Sequence, residues 1–529
     1  LYSNLSFIYR SEKVFNLIFL NNFKDNFLLY FRYNSVEEKM ERKSGVLAHI
    51  TSFPSKFGIG DLGVAARDFV DLLQSSKQKV LQILPIGPTE PYFDNSPYHS
   101  VSAFAINPLF IDLEDILKEK PEELSQFFVE DSNTVNFEQV IDNKFRAFNI
   151  AYKDFRETEE FKKFCSENAF WLDDYALFVA LKKKFGNKPW QEWPQEFKVI
   201  DINALNIARE TLKADIKFTQ YLQFIAAKQF LAFRKYANDR GIKIIGDLPI
   251  YVDSDSPDLW ANRDLFDLDR DGYPVKVAGV PPDYFNENGQ LWGNPVYAWE
   301  KHKAKNFSWW IKRISHLLEF VDIIRIDHFR GFVAYYAIDR GMPNAKVGEW
   351  IRVPVYEFFD TIKANFPSMP FIAEDLGLIT DDVVEVIKHY QIPNMRILMF
   401  AFDGSPTNSY LPHNYENPTV VYTGTHDHNT AVGWFKFELP ETGKVYLSKY
   451  LGHVPTVDSI SSDLVRLAEA SVAEYAVIPI QDVLGMDETN RMNSPGTSLN
   501  NWRFRLKSSD LKEDKLSQFR ELTEIYGRV

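Results

Sequence analysis

From Ser44 onward the chain repeats one arrangement of apolar and polar positions. A short run rich in Val and Ile ends abruptly at a polar or acidic residue, and a stretch with helical spacing follows. GVLAHI (45–50) opens the series, with a helix expected near 64–73, and KVLQILPIG (79–87) comes second. IKIIGDLPI (242–250), VDIIRIDH (321–328), PFIAEDLG (370–377), MRILMFAFD (395–403), TVVYTGTHD (419–427) and AVIPIQD (476–482) bring the runs to eight. Continuous apolar runs of this length suit parallel strands buried on both faces. Their alternation with helices makes a right-handed βα series, and eight such units predict an α/β fold, the closed (β/α)₈ TIM barrel.

Two intervals interrupt the alternation. Residues 111 to about 240 carry charged helical stretches and are expected to form a helical subdomain inserted in a catalytic barrel of residues 40–529. Residues 253–300, crowded with Asp, Gly, Pro, Trp and Tyr, are expected to form a long loop insertion beside the active site. Residues 1–39 contain no Gly or Pro, and their most apolar run is broken by asparagines and lacks a small-residue cleavage site. They read as an N-terminal extension without a role in the chemistry.

The acids give the barrel a working face. Asp247, Asp327, Glu374, Asp427 and Asp482 each stand at or just past the end of a run. The C-terminal ends of barrel strands gather where active sites are built. Asp327 and Glu374 come from successive strands and suit a carboxylate pair for glycosidic bond chemistry, one attacking the anomeric carbon while the other protonates the leaving oxygen. Arg325, two residues before Asp327, projects to the same strand face and would keep Asp327 ionised.

Three other motifs carry less. FGIGDLG holds G-x-G-x-x-G at Gly58, Gly60 and Gly63, but the glycines do not follow a strand directly, and no acid stands about 20 residues on to hold a ribose. They are expected to let the first loop turn tightly before its helix. His426 and His428 in THDHN could begin a metal site, but His328 is the one good further ligand, and hydrogen bonding of sugar hydroxyls by His426 and Asp427 is the better reading. DLDRDG (267–272) imitates the start of an EF-hand loop, but its twelfth position is Ala278 instead of a bidentate Glu.

Composition narrows the partners. The net charge of −13 argues against nucleic acid and anionic membranes. No apolar run approaches the ~20 residues of a membrane helix. Cys165 stands alone, so no intrachain disulfide forms, which fits a cytoplasmic location.

Taken in order, SGVLAHITSFPSKFGIGDLG, SPYHSVSAFAINP, IIGDLPIYV, AGVPPDYFNENGQLWGNPVY, IIRIDHFRG, IAEDLG, YTGTHD and RMNSPGT resemble the 4-α-glucanotransferases of the amylomaltase family, related to the α-amylase barrels. The likeness runs from about Arg42 to Arg505. It implies transfer of α-1,4-glucan segments between maltooligosaccharides through a covalent glucosyl-enzyme, without metal or organic cofactor. It also implies Asp327 as nucleophile, Glu374 as general acid/base and Asp427 as a third carboxylate on the sugar hydroxyls. Asp247, Arg325, His328 and His426 would line the same subsite, with Tyr98 stacking on the ring. Tyr284, Phe285, Gln290 and Trp292 would belong to a loop over the acceptor side, and Asn493 would contact the glucan. The sequence departs from the family pattern at His99, at His428-Asn429 and at Phe504. A hydrolase on the same barrel, or a non-catalytic glucan-binding protein, remains open from the residues alone.

Overall fold

The structure, a computed structural model, describes residues 41–282, 287–497, 499–511 and 513–529. Residues 1–39, Tyr284 and Phe285 therefore lie outside the described residues. The first six strands are Lys43–Leu47 (β1), Val80–Gln82 (β2), Lys243–Leu248 (β3), Lys276–Val280 (β4), Gln290–Pro295 (β5) and Ile323–Ile326 (β6). Ala334–Asp339 (β7), Glu349–Arg352 (β8), Phe371–Ala373 (β9), Asn394–Ile397 (β10), Thr419–Tyr422 (β11) and Tyr475–Pro479 (β12) follow.

Eight of them close a parallel barrel in the order β1-β12-β11-β10-β9-β6-β3-β2. Each of the eight apolar runs supplies one barrel strand. The runs work because both faces are covered: β2, β6, β9, β11 and β12 are buried along their whole length. Inside the barrel the Tyr422 hydroxyl donates to Gln82 Oε1 at 2.8 Å, which satisfies both buried groups.

The seam between first and last strands is locked by charge. Arg528 is fully buried and donates to the carbonyls of Lys43, Glu469, Ala473 and Ser471. Its charge lies 3.6 Å from Glu469 Oε2, and the Ser44 hydroxyl donates to the other oxygen of that carboxyl. Arg42 reaches the carbonyls of Ser471 at 2.8 Å and Tyr526 at 2.6 Å.

Between β2 and β3 the chain is helical. Phe137–Asp154, Glu159–Glu167 and Ala169–Lys184 start at or beside Asn136, Thr158 and Asn168. The Asn136 and Thr158 side chains accept the free N–H groups of Gln139 and Phe161, a normal N-cap. Lys213–Asn238 closes this layer and leads into β3, its Gln223 and Gln229 bonding the backbone of Ile106 and Asp112.

Residues 253–300 are more regular than a loop. The β4 and β5 strands form half of a four-stranded antiparallel sheet ordered β5-β4-β7-β8. The other half comes from 334–352, between the fourth and fifth barrel strands, where the apolar run FVAYYAI (332–338) supplies β7 and β8 follows without one. The alternation there is weak because β8 is largely exposed and its side chains are Glu349, Trp350, Ile351 and Arg352.

The glycine loop is settled by contact. Gly58 has φ +78°, and a Cβ on Gly60 would fall 1.9 Å from the Ile50 carbonyl. Gly63 then stands directly before the helix Val64–Ser75. The glycines serve a close backbone approach.

Candidate active site

The C-terminal rim of the barrel gathers most of the polar groups singled out above. Parallel register sets Asp247 on β3 beside Arg325 on β6, so both side chains enter the barrel mouth. Arg325 Nη1 donates to Asp247 Oδ2 at 2.7 Å and to Asp327 Oδ1 at 3.0 Å. Tyr98 donates its hydroxyl to the same Asp247 oxygen at 2.8 Å. Burial pushes the Asp247 carboxyl up to about 6 against the pull of Arg325. Burial and the neighbouring Asp247 hold the Tyr98 hydroxyl well above its ordinary range, so it stays a donor.

Asp327 directly follows β6, and its side chain is about a quarter exposed (26%). The next residue, His328, takes the left-handed conformation with φ +47°. That turn aims two backbone N–H groups at the neighbouring strand end. His328 N donates to Glu374 Oε2 at 2.7 Å, and Phe329 N to the Glu374 carbonyl at 3.1 Å. Leu376 N donates to Glu374 Oε1 at 2.9 Å. The carboxyl is thus fixed in place beside the loop that carries Asp327. Burial is the main force on its ionisation, and the Asp327 charge adds to it; Arg325 and the two N–H donors oppose them. The balance raises Glu374 from 4.5 to about 7.

The third carboxylate lies under opposite influences. Burial opposes ionisation of Asp427, but His426 (Nε2 at 3.4 Å from Oδ2) and the Asn493 amide (2.6 Å to Oδ1) outweigh it. They hold the carboxyl well below the usual carboxylate range. His426 stacks on Tyr98 with ring centroids 4.9 Å apart. Tyr98, Asp247, Arg325, Asp327, His426, Asp427 and Asn493 therefore form one continuous polar network.

Trp292, on β5, packs edge-on against the His328 ring at 4.8 Å, and its indole N–H donates to Gln290 Oε1 at 3.1 Å. Burial lowers His328 to about 4, so its ring is neutral, and Nε2 has no partner among the described residues. A neutral imidazole with a free nitrogen at the rim suits a hydroxyl ligand.

One of the five strand-end acids turns away. Asp482 sits inside the short helix Ile480–Leu484 and accepts from Thr423 Oγ1 at 2.5 Å and Ala431 N at 2.7 Å, bracing the loop after β11. Asp375 likewise pairs with Arg396. His428 faces Thr425 (2.8 Å to Oγ1) and Phe400, so the two histidines of THDHN hold different partners. In DLDRDG, Asp269 accepts the N–H groups of Asp271 and Tyr273 and makes a tight turn.

The sequence reading missed several residues. Arg491 Nη2 donates to the Asp427 carbonyl at 3.0 Å and its Nε to the Asn493 carbonyl at 2.5 Å, so it holds both members of that pair. Its place two residues before Asn493 in RMNSPGT was the available signal. Trp502 packs on Tyr98 at 5.7 Å and on His426 at 5.9 Å; it lies beyond the last strand, where barrel periodicity is silent. Two of the departures, His428 and Phe504, line a cavity of about 20 Å³ together with His426 and Arg491. The third, His99, stacks on Phe93 at 4.6 Å.

A closed parallel barrel with three carboxylates, an arginine and stacked aromatics on its C-terminal rim defines a barrel enzyme of carbohydrate chemistry. Comparison with known proteins makes this specific. The family model for 4-alpha-glucanotransferase matches residues 48–511. The 4-alpha-glucanotransferase of Synechocystis is 44% identical over 500 residues, covering 92% of this chain and 98% of that protein. That of Aquifex aeolicus is 42% identical, covering 92% and 99%. Among solved structures, an amylomaltase from Streptococcus agalactiae in complex with acarbose superposes with TM-score 0.89 at 38% identity, covering 92% of this chain and 99% of that one. The chain belongs to the 4-alpha-glucanotransferase family, and its reaction is transfer of α-glucan segments.

Proposed function

We propose that transfer between maltooligosaccharides runs by double displacement on the rim carboxylates, with Asp327 as nucleophile and Glu374 as acid and base. The observation that carries this is the contrast between the two groups. Arg325 donates to Asp327, a quarter exposed, at 3.0 Å, while burial keeps a proton on Glu374 up to about pH 7. A buried carboxyl that holds its proton near neutrality suits the acid, and a partly exposed one held by an arginine suits the nucleophile.

In the first step an Asp327 oxygen attacks C1 of the donor glucosyl unit. The bond from C1 to the glycosidic oxygen breaks, and that oxygen takes the proton of Glu374. The reducing-end segment leaves and a glucosyl ester remains on Asp327. In the second step the 4-hydroxyl of an acceptor glucan loses its proton to Glu374 and attacks C1. The ester breaks, Asp327 is regenerated, and two inversions restore the α configuration. Asp427, ionised throughout, takes hydroxyls of the distorted sugar together with His426 and Asn493. Tyr98 supplies a stacking face, and Asp247 and His328 complete that subsite. Trp292 and Gln290 cover the acceptor side and favour a sugar hydroxyl over water in the second step.

Incubation with maltotriose alone tests the reading. Glucose and a ladder of longer oligosaccharides, with total reducing ends constant, are expected. Rising reducing ends with glucose and maltose would make the protein a hydrolase. An unchanged trimer would remove the activity on short donors altogether.

A further inference from the structure

Asp427 and Asn493 stand 66 positions apart in sequence, yet their side chains pair at 2.6 Å. Three segments converge to allow this: residues 425–430 after β11, the turn 431–438 that follows, and the stretch 487–493. They crowd together at Gly433, where a Cβ would fall 2.1 Å from Asn429 Oδ1 and 2.7 Å from Glu488 Cβ. Trp434–Glu438 is a π turn, closed by Leu439 N donating to the Trp434 carbonyl at 2.9 Å. Such wide turns are rare and recur at functional sites.

Glu438 ends the turn and gathers the other two segments on one oxygen. Its Oε1 accepts from Asn429 Nδ2 at 2.8 Å and from Arg491 Nη1 at 3.3 Å. Asn429 is one of the departures from the family pattern, and an amide there can donate to Glu438 where a carboxylate could not. The remaining nitrogens of Arg491 each hold a carbonyl, Nη2 that of Asp427 at 3.0 Å and Nε that of Asn493 at 2.5 Å. A guanidinium is a rigid plane, so three nitrogens engaged on three segments fix the distances between them. Lys436 adds a second tie from the same turn, to Glu488 at 2.7 Å. As an ion pair Glu438–Arg491 contributes little to stability, since its side chains are 44% and 24% exposed. Its effect is geometric.

We propose that Arg491, aimed by Glu438, is a positioning residue that holds the Asp427 carboxylate where the distorted sugar of the transition state meets it. The inference rests on the reading of Asp427 given above. Misplacing such a group by about 1 Å can cost about a hundredfold in rate. Because Asp427 acts on the sugar as it distorts, the loss falls on kcat and leaves KM nearly unchanged.

The test compares Arg491→Ala with Arg491→Lys, which keeps the charge and gives up the fork. In both, kcat on maltotriose is expected to fall about ten- to hundredfold, with KM within about twofold of the parent. Glu438→Ala should share part of that loss. Glu438→Gln should recover most of it, because its amide oxygen still accepts from Asn429 and Arg491. On an Asn493→Ala background, Arg491→Ala should cost less than it does alone, since both act through Asp427. Losses that simply multiply, a raised KM at unchanged kcat, full activity of Arg491→Lys, or a Glu438→Ala protein as active as the parent would overturn the proposal. A crystal structure of Arg491→Ala decides it independently of turnover. Asn493 Nδ2 and Asp427 Oδ1 are expected to part by about 1 Å or more from their 2.6 Å, and an unmoved pair refutes the clamp. Near-parent transfer by Asp427→Asn would instead remove the reading of Asp427, and the crystal structure would still judge the clamp.

Discussion

Glu374→Gln isolates proton transfer from everything else the rim does. The amide is close in size and its single oxygen can accept from His328 N or from Leu376 N, so the loop between Asp327 and Glu374 should hold its shape with the loss of one N–H bond. What disappears is an acid poised at about 7 instead of the usual 4.5. That difference corresponds to about 3 kcal/mol in favour of the protonated form. At pH 6 the elevated carboxyl is about 90% protonated, against about 3% for an ordinary one, a roughly thirtyfold gain in working acid. The sign follows from the role. The acid must carry its proton, so kcat/KM of the parent is full below about pH 7 and lost above it. In the variant, transfer from maltotriose should fall by about 10²–10⁴, and the alkaline limb near pH 7 should vanish. An α-maltosyl fluoride donor needs no proton on its leaving group, so its rate of fluoride release in the first turnover should stay close to the parent's. Equal losses on both donors, or a surviving alkaline limb, would refute Glu374 as the acid.

Asp327→Asn should reduce transfer by about 10⁴ or more while circular dichroism and melting stay as in the parent. Asn493→Ala deletes the donor to Asp427 Oδ1 and should lower kcat/KM about tenfold, the worth of a hydrogen bond to a charged group, read from maltotriose kinetics. Gly60→Ala drives a methyl to 1.9 Å from the Ile50 carbonyl and should cost about 1–3 kcal/mol of stability or more, measured by chemical denaturation. Arg528→Met strips the buried partner from Glu469 and should cost about 3–5 kcal/mol, seen as a lowered melting temperature with little change in KM.

The barrel was legible because its strands are buried on both faces and end at polar residues. The carboxylates were legible for the same reason, since strand ends fix their position. The reading failed where side chains act through long-range contact. Asp482 ends a run as Asp427 does, but a helical turn points it at Thr423 and Ala431. Arg491 and Trp502 reach the rim from beyond the last strand, and only folding brings them there. The small antiparallel sheet escaped notice because its exposed edge strand, with Glu349 and Arg352, lacks apolar alternation.

The lock at the barrel seam has a consequence for the order of assembly. Lys43 and Arg528 meet across 485 positions of sequence, and β1 has no neighbour on one side until β12 arrives. An emerging chain thus carries seven strands as an open, curled sheet with two exposed edges, the arrangement most prone to pair with another chain. Domain-wise folding during synthesis is closed to it; the barrel can only snap shut after residues 475–528 have left the ribosome. Stalled chains ending near residue 470 should therefore be protease-sensitive and should bind chaperones, and chains that include Arg528 should resist digestion. Protection of the shorter chains would show that the sheet can stand open on its own.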